Sequence, residues 1–154
     1  MSVKPIPEGY HGITPYLGIN EAAKAIEFYK KAFGASVFMR LDMPDGRVGH
    51  AELRIGEAVI MLGTPCDETA LRNPDAWSDP SVGLHLYVND VDAQFKQAVD
   101  AGASAVSEPQ DQFYGDRSAS VTDPFGHLWF LATHKEDLTE EQIRQRAMEM
   151  FKQH

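Results

Sequence analysis

"FKQAVDAGAS", residues 95–104, restates "FYKKAFGAS", residues 28–36. Each is the end of a helical pattern running through Gly-Ala-Ser into an extended segment. A repeat of this kind outranks any local motif as a fold signal, because each copy should be one supersecondary unit. The two copies and their flanks are therefore read together.

Around the first copy, "ITPYLGI" (13–19) has the pattern of a strand. Asn20 follows as a helix cap, and Ala22, Ala25, Ile26, Tyr29 and Phe33 recur at the spacing of one helical face, with Gly34 as the stop. Then come "SVFMRLDM", a turn at "PDGR", "VGHAELRI", a turn at Gly56 and "AVIMLGT", which predict three strands joined by tight turns. Around the second copy the order returns. "GLHLYV" is a strand, Asp90 caps a helix with its stripe on Val91, Phe95, Ala98 and Val99, and Gly102 ends it. "ASAVSEP", a loop "QDQFYGD", "RSASVT", a "DPFG" turn and "HLWFLAT" complete the unit.

The expected fold is α+β, with two tandem βαβββ modules whose curved mixed sheets pair to complete a core, because neither half-sheet buries both faces alone. Within a single domain spanning 1–154, module one covers 11–64, a polar linker with three prolines 65–80, and module two 81–134. A C-terminal helix is expected over 139–153. Thr139 and Gln142 make its capping box, and Ile143, Ala147, Met150 and Phe151 its apolar stripe, docked on the domain or on a second subunit.

The composition sets bounds on function. A formal net charge of −9 argues against nucleic acid as a partner. No apolar run approaches the roughly 20 residues of a membrane span, and the start "MSVKPIPEGYHG" lacks a signal-peptide core. Cys66 is the only cysteine, which excludes an internal disulfide and a Cys-based zinc site and fits a reducing, cytoplasmic compartment.

"PYLGINEAAKAIEFYKKAFGA", "PDGRVGHAEL", "LHLYVNDVDA" and "YGDRSASVTDPFGHLWFLATHKEDL" together resemble the vicinal oxygen chelate superfamily of glyoxalases, bleomycin-resistance proteins and dioxygenases, and its PhnB-like branch in particular. The resemblance covers nearly the whole chain. It implies the paired βαβββ fold, a homodimer and a cavity for a small molecule, in a family that includes both metal-dependent enzymes and metal-free binding proteins. Fold alone does not choose between them.

The resemblance also locates the family's metal ligands, one on the first and one on the fourth strand of each half. They fall here on Thr14, Met61, Gly83 and Phe130, with the same 69-residue offset from 14 to 83 and from 61 to 130. None is a good donor for a divalent oxygen-chelating metal. No metal and no cofactor are therefore expected.

Strand parity suggests what lines the cavity instead. In "VGHAELRI" (48–55), Ala51, Leu53 and Ile55 form the apolar set, which turns His50 and Glu52 inward. Thr14, Tyr16, Gly83, His85 and Tyr87 are expected to face the same way, and Ile13, Leu17 and Ile19 to pack on the helix. Arg40 either joins the polar group or pairs with Glu52 or Asp42. Tyr114 and Arg117 either reach over the cavity mouth or belong to a hairpin at Gly115 with an Asp116–Arg117 surface pair. Phe130 supplies apolar floor, whereas His127 and Trp129 pack on the helical side.

The expected ligand set is Tyr16, Arg40, His50, Glu52, His85, Tyr87, Tyr114, Arg117 and Phe130, apolar walls with a few convergent polar groups. Two functions follow. One is a protein that binds a small organic molecule, a basic one suiting the acidic chain. The other is a glyoxalase-like isomerase or lyase in which His50 and Glu52, the candidate catalytic pair, move a proton beside a carbonyl or hold a displaced metal with His85. A degenerate member with a structural or regulatory role is a third reading.

Overall fold

The computed structural model describes residues 2–153. Met1 and His154, the ends of the expected domain, lie outside the described residues. The chain divides into two compact units, residues 1–79 and 80–154.

Unit 1 contains β1 (Tyr16–Gly18), α1 (Ala22–Phe33), β2 (Ser36–Asp42), β3 (Val48–Ile55) and β4 (Ala58–Gly63). Its sheet has the order β1-β4-β3-β2, with β1 parallel to β4 and the other pairs antiparallel. The alternation in β3 and β4 sends Ala51, Leu53, Ile60 and Leu62 to one face, where they are buried together with Leu17, Ile19, Ala25, Ile26 and Tyr29. Complete burial of one such side chain is worth about 1.5–3 kcal/mol, so this layer of aliphatic side chains is what holds α1 to the sheet. Gly34 closes α1 in the left-handed conformation, at φ +68°, and its N–H returns to the Lys30 carbonyl.

Three local expectations for this unit are corrected. The cap position is Glu21 and carries no side-chain cap, while the Asn20 N–H donates to Asn73 Oδ1 (2.8 Å). The first strand shrinks to three residues. Ile13 is 97 % exposed and does not pack on the helix: it lies before β1, and the chain joins the sheet at Pro15, whose carbonyl accepts from the Met61 N–H of β4 (2.8 Å).

Unit 2 repeats the design with β5 (Gly83–Tyr87), α2 (Val91–Ala101), β6 (Ser104–Asp111), β7 (Asp116–Thr122) and β8 (Leu128–His134), in the order β5-β8-β7-β6. The repeat is visible in the register. Tyr16 pairs with Met61 and His85 with Phe130, each partner displaced by the same 69 positions. Asp90 caps α2 by accepting from Ala93 N–H (3.1 Å). The α2 stripe is weaker than expected, since Val91 and Ala98 are buried whereas Val99 stays exposed. β6 runs on through Gln110 and Asp111, shortening the expected loop to a turn over 112–115.

α3 (Glu140–Lys152) follows, opened by the Thr139–Gln142 capping box in both directions. No residue of α3 is buried, and Phe151 is 65 % exposed. Ile143 and Ala147 are half-buried, so the stripe rests lightly on its surroundings instead of covering a core.

Candidate functional site

The sheet face of unit 1 turned away from α1 carries Tyr16, His50 and Glu52. Their strand positions follow from register, with Glu52 paired to Met61 and Met61 to Tyr16. The Tyr16 hydroxyl lies 2.8 Å from His50 Nδ1. Burial, with Cys66 nearby, pushes the Tyr16 phenol up, so it keeps its proton. His50 Nε2 faces Glu52 Oε2 at 3.6 Å, longer than a direct hydrogen bond. Glu52 Oε1 accepts from the Tyr10 hydroxyl.

Of these groups, Glu52 and Tyr10 line a groove of about 630 Å³, together with Pro5, Pro7, Phe38, Met39 and Met61 among others. A nearly buried carboxylate beside an imidazole can hold a donor-bearing ligand or relay a proton, and the apolar walls can take a hydrocarbon body.

Arg40 does not join this group. β2 bulges between Val37 and Met39, and the extra residue, Phe38, reverses the parity beyond it. Arg40 is thereby paired with Ala51, on the opposite face from Glu52, and its guanidinium binds Asp42 (2.9 Å). Phe38 takes the exposed side, with the Arg54 guanidinium 5.2 Å from its ring centroid.

In unit 2, Phe130, His85 and Tyr87 form a row on one face. His85 lies 6.2 Å from the Phe130 ring, nearly parallel to it, and 4.9 Å from Tyr87. Ser118 and Ser120 stand beside Ala132 and Phe130 in this sheet, so the His-Glu chemistry of unit 1 has no counterpart on β7. Its polar end is different. Asp116, 4 % exposed, accepts from the Tyr87 hydroxyl (2.6 Å) and His134 Nδ1 (2.8 Å), while His134 Nε2 faces Asp137 (2.8 Å). Burial pushes the Asp116 carboxyl up, but the bonds from Tyr87 and His134 outweigh it and hold it below the usual range. With a carboxylate at each ring nitrogen, His134 is held above its ordinary value, and Tyr87 is raised by its bond to Asp116.

The expected Asp116–Arg117 surface pair is thus corrected. Asp116 is buried among other partners, and Arg117 points to the helix side, where Asp92 of α2 (2.8 and 2.9 Å) and Asp111 (3.2 Å) bind it. With its donors so engaged, Arg117 does not reach over the Tyr87 face. Tyr114 sits in the 112–115 turn, its ring edge-on to Phe113 (5.2 Å) and near enough to Tyr87 to raise that phenol's pKa. Gly115 makes the turn at φ +98°. Trp129 is 2 % exposed and donates to Asp123 (3.0 Å), on the face opposite Phe130.

Tyr10, Met39, Asp116 and His134 were not among the expected site residues. Counting outward from the "DPFG" turn places Asp116 opposite His134, so hairpin register carried that signal. Tyr10 lies in irregular backbone, and periodicity carries no signal for it.

The positions that the resemblance assigns to metal ligands do not fit that metal. Thr14 and Met61 line the groove with a hydroxyl and a thioether. A Cβ at Gly83 would lie 2.5 Å from Phe130 Cε2, so an aromatic ring fills that space. Among the described residues, no three His, Cys, Asp or Glu side chains form a metal-ligating group. No helix of the described residues is long and apolar enough to cross a membrane.

Comparison with known proteins places these features. The family model described as the Glyoxalase/Bleomycin resistance protein/Dioxygenase superfamily matches residues 13–131. An uncharacterized Mycobacterium bovis protein is 38 % identical over 135 residues, covering 86 % of this chain and 89 % of that protein. An uncharacterized Arabidopsis thaliana protein is 31 % identical over 126 residues, 76 % of this chain and 74 % of its own. Among solved structures, TioX from Micromonospora sp. superposes with a TM-score of 0.63 at 25 % identity, covering 84 % of this chain and all (100 %) of that one. A PhnB protein from Bacillus cereus shares the fold with a TM-score of 0.60 at 14 % identity, over 80 % and 99 % of the two chains.

Proposed function

The chain belongs to the glyoxalase/bleomycin resistance protein/dioxygenase superfamily, and from that premise we propose that it binds a small organic molecule in the groove of unit 1, without the family's usual metal. The observation that carries this reading is the groove itself, with apolar walls of Met39, Met61 and Phe38 ending at Glu52 and its neighbours His50 and Tyr16. His85, Tyr87 and Phe130 are a second set of ligand contacts on the like face of unit 2. The working form is a homodimer in the cytoplasm, a reading supported by the family resemblance and by the single cysteine.

A second reading is favoured by the run of contacts Tyr16–His50–Glu52–Tyr10. As an isomerase or lyase, the protein would use Glu52 or His50 to take a proton beside a substrate carbonyl, with Tyr16 fixing the imidazole tautomer.

One experiment addresses both. A thermal-shift screen of carbonyl metabolites and basic compounds should find a ligand that raises the melting temperature by about 5–10 °C at a hundredfold excess over its Kd. That shift should disappear in Glu52→Gln and in Met61→Trp, which blocks the groove. A ligand unaffected by both variants would place binding elsewhere. Proton exchange from the ligand into deuterated solvent, lost in His50→Gln, would favour the enzyme.

A further inference from the structure

Residues 5–14 line much of the groove, through Pro5, Ile6, Pro7, Tyr10, Gly12 and Thr14, yet no helix or strand contains them. Within this segment the backbone closes one turn, Tyr10 N–H to the Pro7 carbonyl at 3.3 Å. Ile6 and Ile13 are 66 % and 97 % exposed, so little apolar burial holds it down. Its side-chain tie to the sheet is the hydrogen bond from the Tyr10 hydroxyl to Glu52. Gly9 and Gly12, at φ +91° and +83°, bracket Tyr10 and supply backbone that other residues rarely adopt. Pro5 and Pro7 stiffen the part before them. A stiff piece, two permissive glycines and one polar latch make a hinged strap.

We propose that Tyr10 is a gating and specificity-determining residue, holding the donor position on Glu52 that a ligand's own N–H or O–H must take over. Binding then exchanges Tyr10 for the ligand and swings residues 5–14 aside. This rests on the proposed binding in the unit 1 groove and adds the ligand's chemistry: a mainly apolar molecule with one hydrogen-bond donor. The requirement for a donor follows from Glu52. Its side chain is only 14 % exposed, its Oε2 faces His50 beyond hydrogen-bond distance, and its Oε1 is satisfied by Tyr10. An entrant that displaced Tyr10 without replacing its donor would leave a carboxylate oxygen desolvated and unpaired, which is unfavourable. Shape alone would not select ligands here, because the groove is open along the strap.

The latch is tested without any ligand. In the wild-type protein the backbone amides of residues 8–12 should show order parameters near 0.85, and in Tyr10→Phe they should fall below about 0.6, with the strand amides unchanged. Unaltered order in Tyr10→Phe would overturn the latch. The exchange is tested with 4-methylphenol, which copies the Tyr10 side chain, and benzylamine, which offers a cationic donor. Whichever is the preferred chemistry should bind about tenfold more tightly to Tyr10→Ala than to the wild type, since the strap no longer competes. Toluene, which lacks the donor, should show no such gain. Equal affinity for both proteins, or an equal gain for toluene, would overturn the exchange. If no probe binds either protein while Tyr10→Phe still loosens residues 8–12, the exchange and the binding proposal fail together and the latch alone stands.

Discussion

His134 shows how much a single residue's neighbours decide. Both ring nitrogens face carboxylates, Asp116 and Asp137, each at 2.8 Å. A neutral imidazole has one N–H, so only the imidazolium donates to both. The folded-state pKa is accordingly raised above 6.5. The sign of the consequence follows from linkage. The stabilisation is complete below the unfolded value of about 6.5 and is lost as pH rises through the folded value. Urea unfolding of the wild type should therefore weaken relative to His134→Gln as pH passes upward through this window, with the difference constant below it. Asp116 contributes with the opposite sense. Its depressed pKa stabilises the fold above the ordinary carboxylate range and that contribution disappears as the solution is acidified through the folded value. Asp116 was legible in the sequence as a charge beside Arg117. His134 as a partner follows from hairpin register, whereas Tyr87 does not, because it comes from β5, 29 residues away.

At the scale of elements, local signals and packing part company. The α3 capping box was fully legible, since Thr139 and Gln142 are three residues apart and need no other element. What α3 rests on was not, and the stripe expected to dock on the domain or on a second subunit is half-buried at best. Thr139→Ala should therefore reduce helicity and speed amide exchange over the first turn of α3, a local cost of about 1 kcal/mol. The midpoint of global unfolding should stay in place, because α3 contributes no buried side chain. A large fall in that midpoint would show that α3 supports more of the fold than its burial indicates. β2 makes the same point. Alternation predicted its strand, but the bulge at Phe38, absent from any count of apolar residues, moved Arg40 to the other face.

For the whole molecule, the two units carry unequal cores. In unit 1, α1 buries seven residues, whereas α2 of unit 2 buries Val91 and Ala98. Leu53 and Leu62 are both fully buried in unit 1. Leu53→Ala should cost about 2–5 kcal/mol in denaturant unfolding, with the spread set by how far the cavity collapses. A loss well under that range would mean the α1 layer repacks around the gap. The repeat from which the reading began, at residues 28–36 and 95–104, pointed to the two βαβββ modules and their order. It could do so because helix and strand periodicities are local, and a repeat reports its own architecture. His50 and Glu52 were also placed together by parity within one strand. The tertiary structure decided the rest: that Tyr10 bonds to Glu52 beside the groove, that Arg40 and Arg117 turn away to carboxylates, and that Asp116 is buried against Tyr87. These depend on which segment crosses which face and on a one-residue bulge. The Tyr10–Glu52, Arg117–Asp92 and Tyr87–Asp116 contacts are long-range choices among competing partners, and no local pattern of polar and apolar residues encodes them.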